Sequence, residues 1–188
     1  MTTGGQQIDQ IMEQASDALA GMAYLRCEKL CLEALRLARQ AKDFDTLGRI
    51  VLPLQEARRQ RRQTAVEAGL HVMGPPSMDP QEICRIHPVG CLLLLDPPYT
   101  DADQQAIRQL AFDRQLYLEV LRFDESRLGQ CFEEQMERVG DAALTAIASE
   151  PSPVAQVDAL IECVNRIGDH EAAHQRLADA ARRAARPD

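Results

Sequence analysis

The sequence predicts a mainly α protein that carries a small α/β (βαβ) insertion, and three observations predict it. Apolar residues recur with the helical period on both flanks, first from Ile8 to Leu54 and again from about Gly129 to Arg186. A Gly- and Pro-rich stretch with Gly69, Gly74, Pro75, Pro76 and Pro80 breaks that period in the middle of the chain. Beyond it, the short apolar run Cys91 to Leu95 and the alternating run Leu116 to Phe123 have the length and pattern of strands.

Taken in order, Ile8, Ile11, Met12, Ala15, Leu19 and Met22 mark one buried face of a first helix, whose end Gly21 loosens. A second helix is expected from about Tyr24 to Ala41, striped by Leu30, Ala34, Leu35 and Ala38 and broken by Lys42 and Asp43. A third starts near Asp45 as N-cap, carries Leu47, Ile50, Val51 and Leu54, and must be kinked or divided at Pro53 before it reaches Glu67. Cys91 to Leu95 then forms a strand ended by Pro97 and Pro98. Asp101 or Asp103 caps a helix through about Asp113, and Leu116 to Phe123 forms a second strand parallel to the first. Two strands make a poor sheet, so a third is needed, either near Leu70 to Met73 or from another subunit. Three last helices are expected at about Gly129 to Ala148, Val154 to Ile167 and Asp169 to Arg186, with turns at Glu150 to Pro153 and at Gly168-Asp169. The organisation is therefore 1–68 helical, 69–127 α/β and 128–188 helical, with the two helical flanks packing as one domain.

An internal echo accompanies this pattern. Leu32-Glu33-Ala34-Leu35, Asp43 and Ala57-Arg58-Arg59 are matched by Val157-Asp158-Ala159-Leu160, Asp169 and Ala181-Arg182-Arg183, with spacings that differ slightly. The stretch Tyr24 to Arg59, with small Ala residues where helices must approach closely, resembles a tetratricopeptide-type helical hairpin, without that family's Trp and closing Pro. The whole arrangement also resembles uncharacterised bacterial proteins in which an α/β unit interrupts such hairpins.

Composition narrows the function classes. With 188 residues there is room for one domain and an insertion. A net charge of -8, from 29 acidic and 21 basic residues, disfavours nucleic acid except at a local basic patch. Aromatics at 4% with no Trp remove the stacking platforms of single-strand and carbohydrate binders. The start, Met1 to Gln7, has no apolar run, and Cys91 to Leu95 falls far short of the roughly 20 residues a bilayer requires. The six cysteines, Cys27, Cys31, Cys84, Cys91, Cys131 and Cys163, are then expected as free thiols in the cytoplasm, with no membrane association.

Four local patterns invite a chemical reading. Asp96-Pro97-Pro98-Tyr99, directly after the run Leu92 to Leu95, is similar to the catalytic motif of amino-group methyltransferases. That resemblance implies that Asp96 and the Pro97 carbonyl accept from a target amino group while Tyr99 stacks on the base beside S-adenosylmethionine. Such enzymes hold the cofactor with a Gly-rich loop, and no Gly-x-Gly occurs here. The simpler reading makes the prolines a strand stop and Asp101 or Asp103 a helix cap. His170-Glu171-Ala172-Ala173-His174 fits the zinc-peptidase pattern, with His170 and His174 as ligands and Glu171 as general base. Position 180, where a third ligand would stand, is Ala180, and Cys163 would have to fold back around Gly168. The simpler reading is two polar histidines in the first turn of a helix.

Arg58, Arg59, Arg61 and Arg62, following Arg49, form a cluster that could grip phosphate or an acidic partner. More simply, it is the solvated C-terminal end of a helix, flanked by Glu56 and Glu67. Cys27 and Cys31, one turn apart, lack the further ligands a soft metal needs and read as buried apolar residues.

The expectation from these residues is a non-catalytic protein-interaction or scaffold protein, with no cofactor and no metal. Its partners would be proteins, and the α/β unit would serve either as an insert or as a dimer surface. The alternatives are small-ligand or nucleotide-related binding at the strand end, through Asp96, Tyr99, Thr100 and Asp101, and zinc hydrolysis through His170, Glu171 and His174.

Overall fold

The computed structural model describes residues 3–124, 131–147 and 152–186. Among them are eight helices and three strands: α1 (Thr3–Ala20), α2 (Tyr24–Gln40), α3 (Phe44–Ala68), β1 (Leu70–Met73), α4 (Pro80–Ile86), β2 (Val89–Asp96), α5 (Asp101–Asp113), β3 (Tyr117–Asp124), α6 (Phe132–Ile147), α7 (Pro153–Ile167) and α8 (Glu171–Ala184). The protein is mainly α with a small parallel sheet inserted among the helices, as the periodicities predict. The chain divides into two units. One is Met1–Arg58 with Phe132–Asp188, the other Arg59–Cys131, so the division falls inside α3 rather than at Gly69.

In the helical unit, the predicted stripes meet in one core. Ile8, Ile11 and Ala15 of α1, Ala34, Leu35 and Ala38 of α2, and Leu47, Ile50, Val51 and Leu54 of α3 bury together with Val157, Leu160 and Val164 of α7 and Leu177 and Ala181 of α8. The alanines matter because they let helices approach: Gly48 of α3 lies so near α8 that a Cβ there would meet the Ala178 carbonyl and Ala181 Cβ, each at 3.7 Å. The links α1–α2 and α2–α3 share one geometry. Met22 and Lys42 adopt positive φ (58° and 55°), and the next amides, Ala23 and Asp43, bond back to Ala18 and Ala38 at 2.8 and 2.9 Å. This left-handed helix stop is usually built on Gly. Here the left-handed residue is Met22 rather than Gly21, and an aromatic, Tyr24 or Phe44, opens each following helix.

Several caps differ from expectation. The N-cap of α3 is Asp43, whose Oδ1 accepts from Thr46 N–H at 3.0 Å, and Asp45 lies within the first turn. Pro53 leaves α3 undivided. The α5 cap is Thr100, not Asp101 or Asp103: its hydroxyl accepts from Asp103 N–H while the Asp103 carboxylate accepts from Thr100 N–H at 2.8 Å. The Thr100 hydroxyl, donating to Asp103 Oδ2 at 2.7 Å, and then the Thr100 N–H hold the Asp103 carboxyl below its usual range. The helix α4 falls in the stretch expected to be irregular, because Asp79 caps it by accepting from Gln81 N–H at 2.8 Å and Pro80 takes the first helical position. The expected turn at Glu150 to Pro153 is described only from Ser152, which caps α7 by accepting from Ala155 N–H at 3.1 Å. The expected start of α6 near Gly129 lies outside the described residues, which resume at Cys131.

In the second unit the strands are all parallel, in the order β1-β2-β3, and the third strand is the chain's own Leu70–Met73. Successive residues of a strand face opposite sides. Leu92, Leu94, Leu118 and Val120 face a core completed by Ile83 and Cys84 of α4 and Ile107 and Ala111 of α5, while Cys91, Leu93, Leu121 and Phe123 are buried on the other side. On β3 the Val120 carbonyl accepts from Gln104 (2.9 Å) and from Arg108 (2.6 and 3.0 Å) of α5. A side-chain canopy of that kind shields an edge strand from further pairing.

Candidate functional site

Each chemical pattern in the sequence has a definite place in the fold. Asp96 ends the central strand β2, and its carboxylate is held by Arg122 of β3, which also bonds Asp101 at 2.8 and 3.0 Å. Tyr99 is 1% exposed, and its hydroxyl accepts from Met78 N–H at 3.1 Å. The phenol is thus part of the core on the α4/α5 side of the sheet. A ring that stacks on a substrate must present a face, and this one does not. Parallel sheets bind ligands best where strand order reverses and neighbouring connections diverge. The order β1-β2-β3 has no such reversal.

The histidines of the zinc-like pattern are buried, not polar residues of an open helix start. His170 (1% exposed) is itself the N-cap of α8, and His174 is 0% exposed. The His170 Nδ1 accepts from Ala173 N–H at 3.2 Å, which places the ring proton on Nε2. That Nε2 lies 3.2 Å from Glu137 Oε2 and 3.5 Å from Asp141 Oδ1 on α6, yet makes no hydrogen bond because neither oxygen stands in line with it. The ring fills the space left by the missing side chain of Gly140, where a Cβ would fall 2.0 Å from its Cδ2.

For His174, Nδ1 lies 2.9 Å from the His170 carbonyl and Nε2 lies 3.3 Å from Arg58 Nη1. A carbonyl only accepts and a guanidinium only donates, so Nδ1 carries the proton and Nε2 offers its lone pair to Arg58. Burial, then the Arg58 charge, pushes the His174 pKa down to about 4. In each ring the lone pair a metal would need is already engaged. Among the described residues, no three His, Cys, Asp or Glu side chains come together as a metal-ligand set.

Arg58 separates from its cluster. It is 2% exposed and binds Glu28 Oε1 of α2 at 2.8 Å, the Val164 carbonyl of α7 at 2.7 Å, and His174. It therefore joins α2, α3, α7 and α8 through one planar group. Arg61 belongs to the other unit, where it binds Glu119 of β3 at 2.7 and 3.0 Å; that carboxylate side chain is 3% exposed. Arg59 is exposed and Arg62 half-buried. Since α3 continues to Ala68, the four arginines do not stand at a helix end.

Cys27 and Cys31 are buried with their sulfurs 3.9 Å apart. The hydrogen bond between them lowers the Cys27 thiol pKa and, with burial, raises that of Cys31. Burial also raises Cys84 and Cys163, so neither is a poised nucleophile.

One pairing was not read from the sequence. His71 of β1 and His87, just after α4, lie against each other with ring centroids 4.4 Å apart and planes tilted by 42°. The strand-helix return that brings residue 87 back beside residue 71 is the signal that could have found them. Among the described residues no helix is long and apolar enough to cross a membrane. No protein-family model, no curated protein and no solved structure matches this chain.

Proposed function

We propose that this chain is a non-catalytic interaction module of tetratricopeptide-like build that works in the cytoplasm. The observation that supports the reading most is the engagement of its chemically capable residues inside the fold: Arg58, His170, His174 and Tyr99 all serve as internal braces. On the helical unit, the exposed helix faces are then the surface that meets a protein partner. The repeated left-handed turn after α1 and α2, and the alanines between helices, support the hairpin kinship. Cysteines buried as thiols suit a reducing compartment.

On the helical unit, Leu52 is 71% exposed, and a carboxylate there would repel an apolar partner surface without touching the core. The test compares the tagged chain with its Leu52→Glu variant, cross-linked in its own cells. A protein partner that the wild type captures, that the variant loses, and that rebinds in purified form supports the reading. Identical recovery by both forms, or measured turnover of a small substrate, contradicts it.

A further inference from the structure

The chain contains four histidines, and two of them touch on the open edge of its sheet. His71 stands on β1, whose outer side no strand covers among the described residues. Its ring packs against Gly90, where a Cβ would come within 3.2 Å of Cδ2 and 3.3 Å of Nε2, so glycine at that position makes room for it. His87 closes the turn after α4, and both rings are half-buried. Two Zn–N bonds of about 2.0 Å at a tetrahedral centre hold their nitrogens roughly 3.3 Å apart. Ring centroids 4.4 Å apart, with planes tilted by 42°, put the two imidazoles at a spacing comparable to that requirement.

One chain offers two such ligands, whereas zinc takes four. The surroundings indicate where the other two come from. Leu70 and Val72 on β1 are each 50% exposed, and Ile86 and Val89 beside the histidines are 44% and 37% exposed. The strand Leu70–Met73 carries no Lys, Pro or acidic residue to discourage pairing, in contrast to β3, whose Val120 carbonyl is covered from α5. A twofold axis beside β1 would set apolar edge against apolar edge and bring four imidazoles together.

We propose that His71 and His87 form half of a zinc site, and that the same pair from a second copy of this chain completes it, so that the ion joins two β1 edges. The ion class is a borderline divalent cation with a preference for imidazole nitrogen. The proposal is independent of which protein the helical surface meets.

The test uses chelator-treated full-length protein with Cys131→Ser, which removes the one exposed thiol. Zinc chloride is titrated by calorimetry and by sedimentation velocity. The expected result is one ion per two chains, a shift from monomer to dimer on addition of zinc, and reversal by chelator. His71→Ala and His87→Gln, each checked for an unchanged far-ultraviolet spectrum and melting midpoint, should each weaken zinc binding by at least about tenfold and abolish the dimer. Zinc bound one to one by a monomer, a dimer indifferent to chelator, or binding that survives in both folded variants would overturn the proposal. If one variant fails to fold, the other decides.

Discussion

Acidification from pH 7 to about pH 5 should remove roughly 2 kcal/mol of stability from the helical unit through His174 alone. The buried imidazole has its pKa lowered from 6.5 to about 4 because burial and the Arg58 guanidinium both oppose its charged form. Protonating Nε2 would set a donor against a donor at 3.3 Å. The unfolded chain accepts the proton near pH 6.5 and the folded chain does not, so this contribution is full above pH 6.5. It falls as the pH drops and is gone below about pH 4. At pH 5 the unfolded imidazole is almost fully protonated and the folded one about one-tenth, which yields the figure of about 2 kcal/mol; the limit at lower pH is about 3 kcal/mol. Urea denaturation of the wild type and of His174→Gln, each at pH 7 and pH 5, isolates the effect, because other titrating groups are common to both. The wild type should lose about 2 kcal/mol more than the variant. Equal losses, within about 0.5 kcal/mol, would refute the assignment of His174 as a buried neutral acceptor.

Gly140→Ala should destabilise the chain by about 2 kcal/mol, since the new Cβ would lie 2.0 Å from His170 Cδ2 and must displace that ring from its cap. His170→Ala in the same chain should recover most of the loss in urea melts. A neutral or stabilising Gly140→Ala, as at an open helix position, would show that the ring does not occupy that space. Glu119→Ala removes the buried carboxylate that accepts two bonds from Arg61 and should cost about 3 kcal/mol. The loss should register as faster amide exchange across β2 and β3, and unchanged protection there would count against a buried ion pair.

What the sequence disclosed, and what it hid, follows from the range of the forces involved. Helical stripes and the run Leu92 to Leu94 are local patterns set by burial, so the α2 and α7 spans and the parallel pair β2–β3 are readable, while Leu70–Met73 is only one of two sources the sequence leaves open for the third strand. The helix α4 has a local start signal in Asp79-Pro80, but it is only 7 residues long and follows Pro75 and Pro76, which break the helical period. The cap of α5 went to the aspartates instead of Thr100, whose reciprocal bond with Asp103 is a geometric matter of which residue stops being helical. The spacing of His170 and His174 was visible but their burial was not, because Gly140, Glu28 and Arg58 lie far away in sequence. Arg58 and Arg59 are neighbours with similar letters around them, yet one is buried and the other exposed, a distinction set by helix phase against α2 and α7.

The His170–His174 pattern is a structural brace, in which His170 Nδ1 caps α8 and both ring nitrogens of His174 bond inside the helical unit. Long-range proton–nitrogen NMR of the four histidines at neutral pH, before and after one equivalent of zinc, tests it most directly. A proton is expected on Nδ1 of His174 and on Nε2 of His170, with both sets of resonances unmoved by the metal. Coordination shifts at His170 or His174 would contradict it.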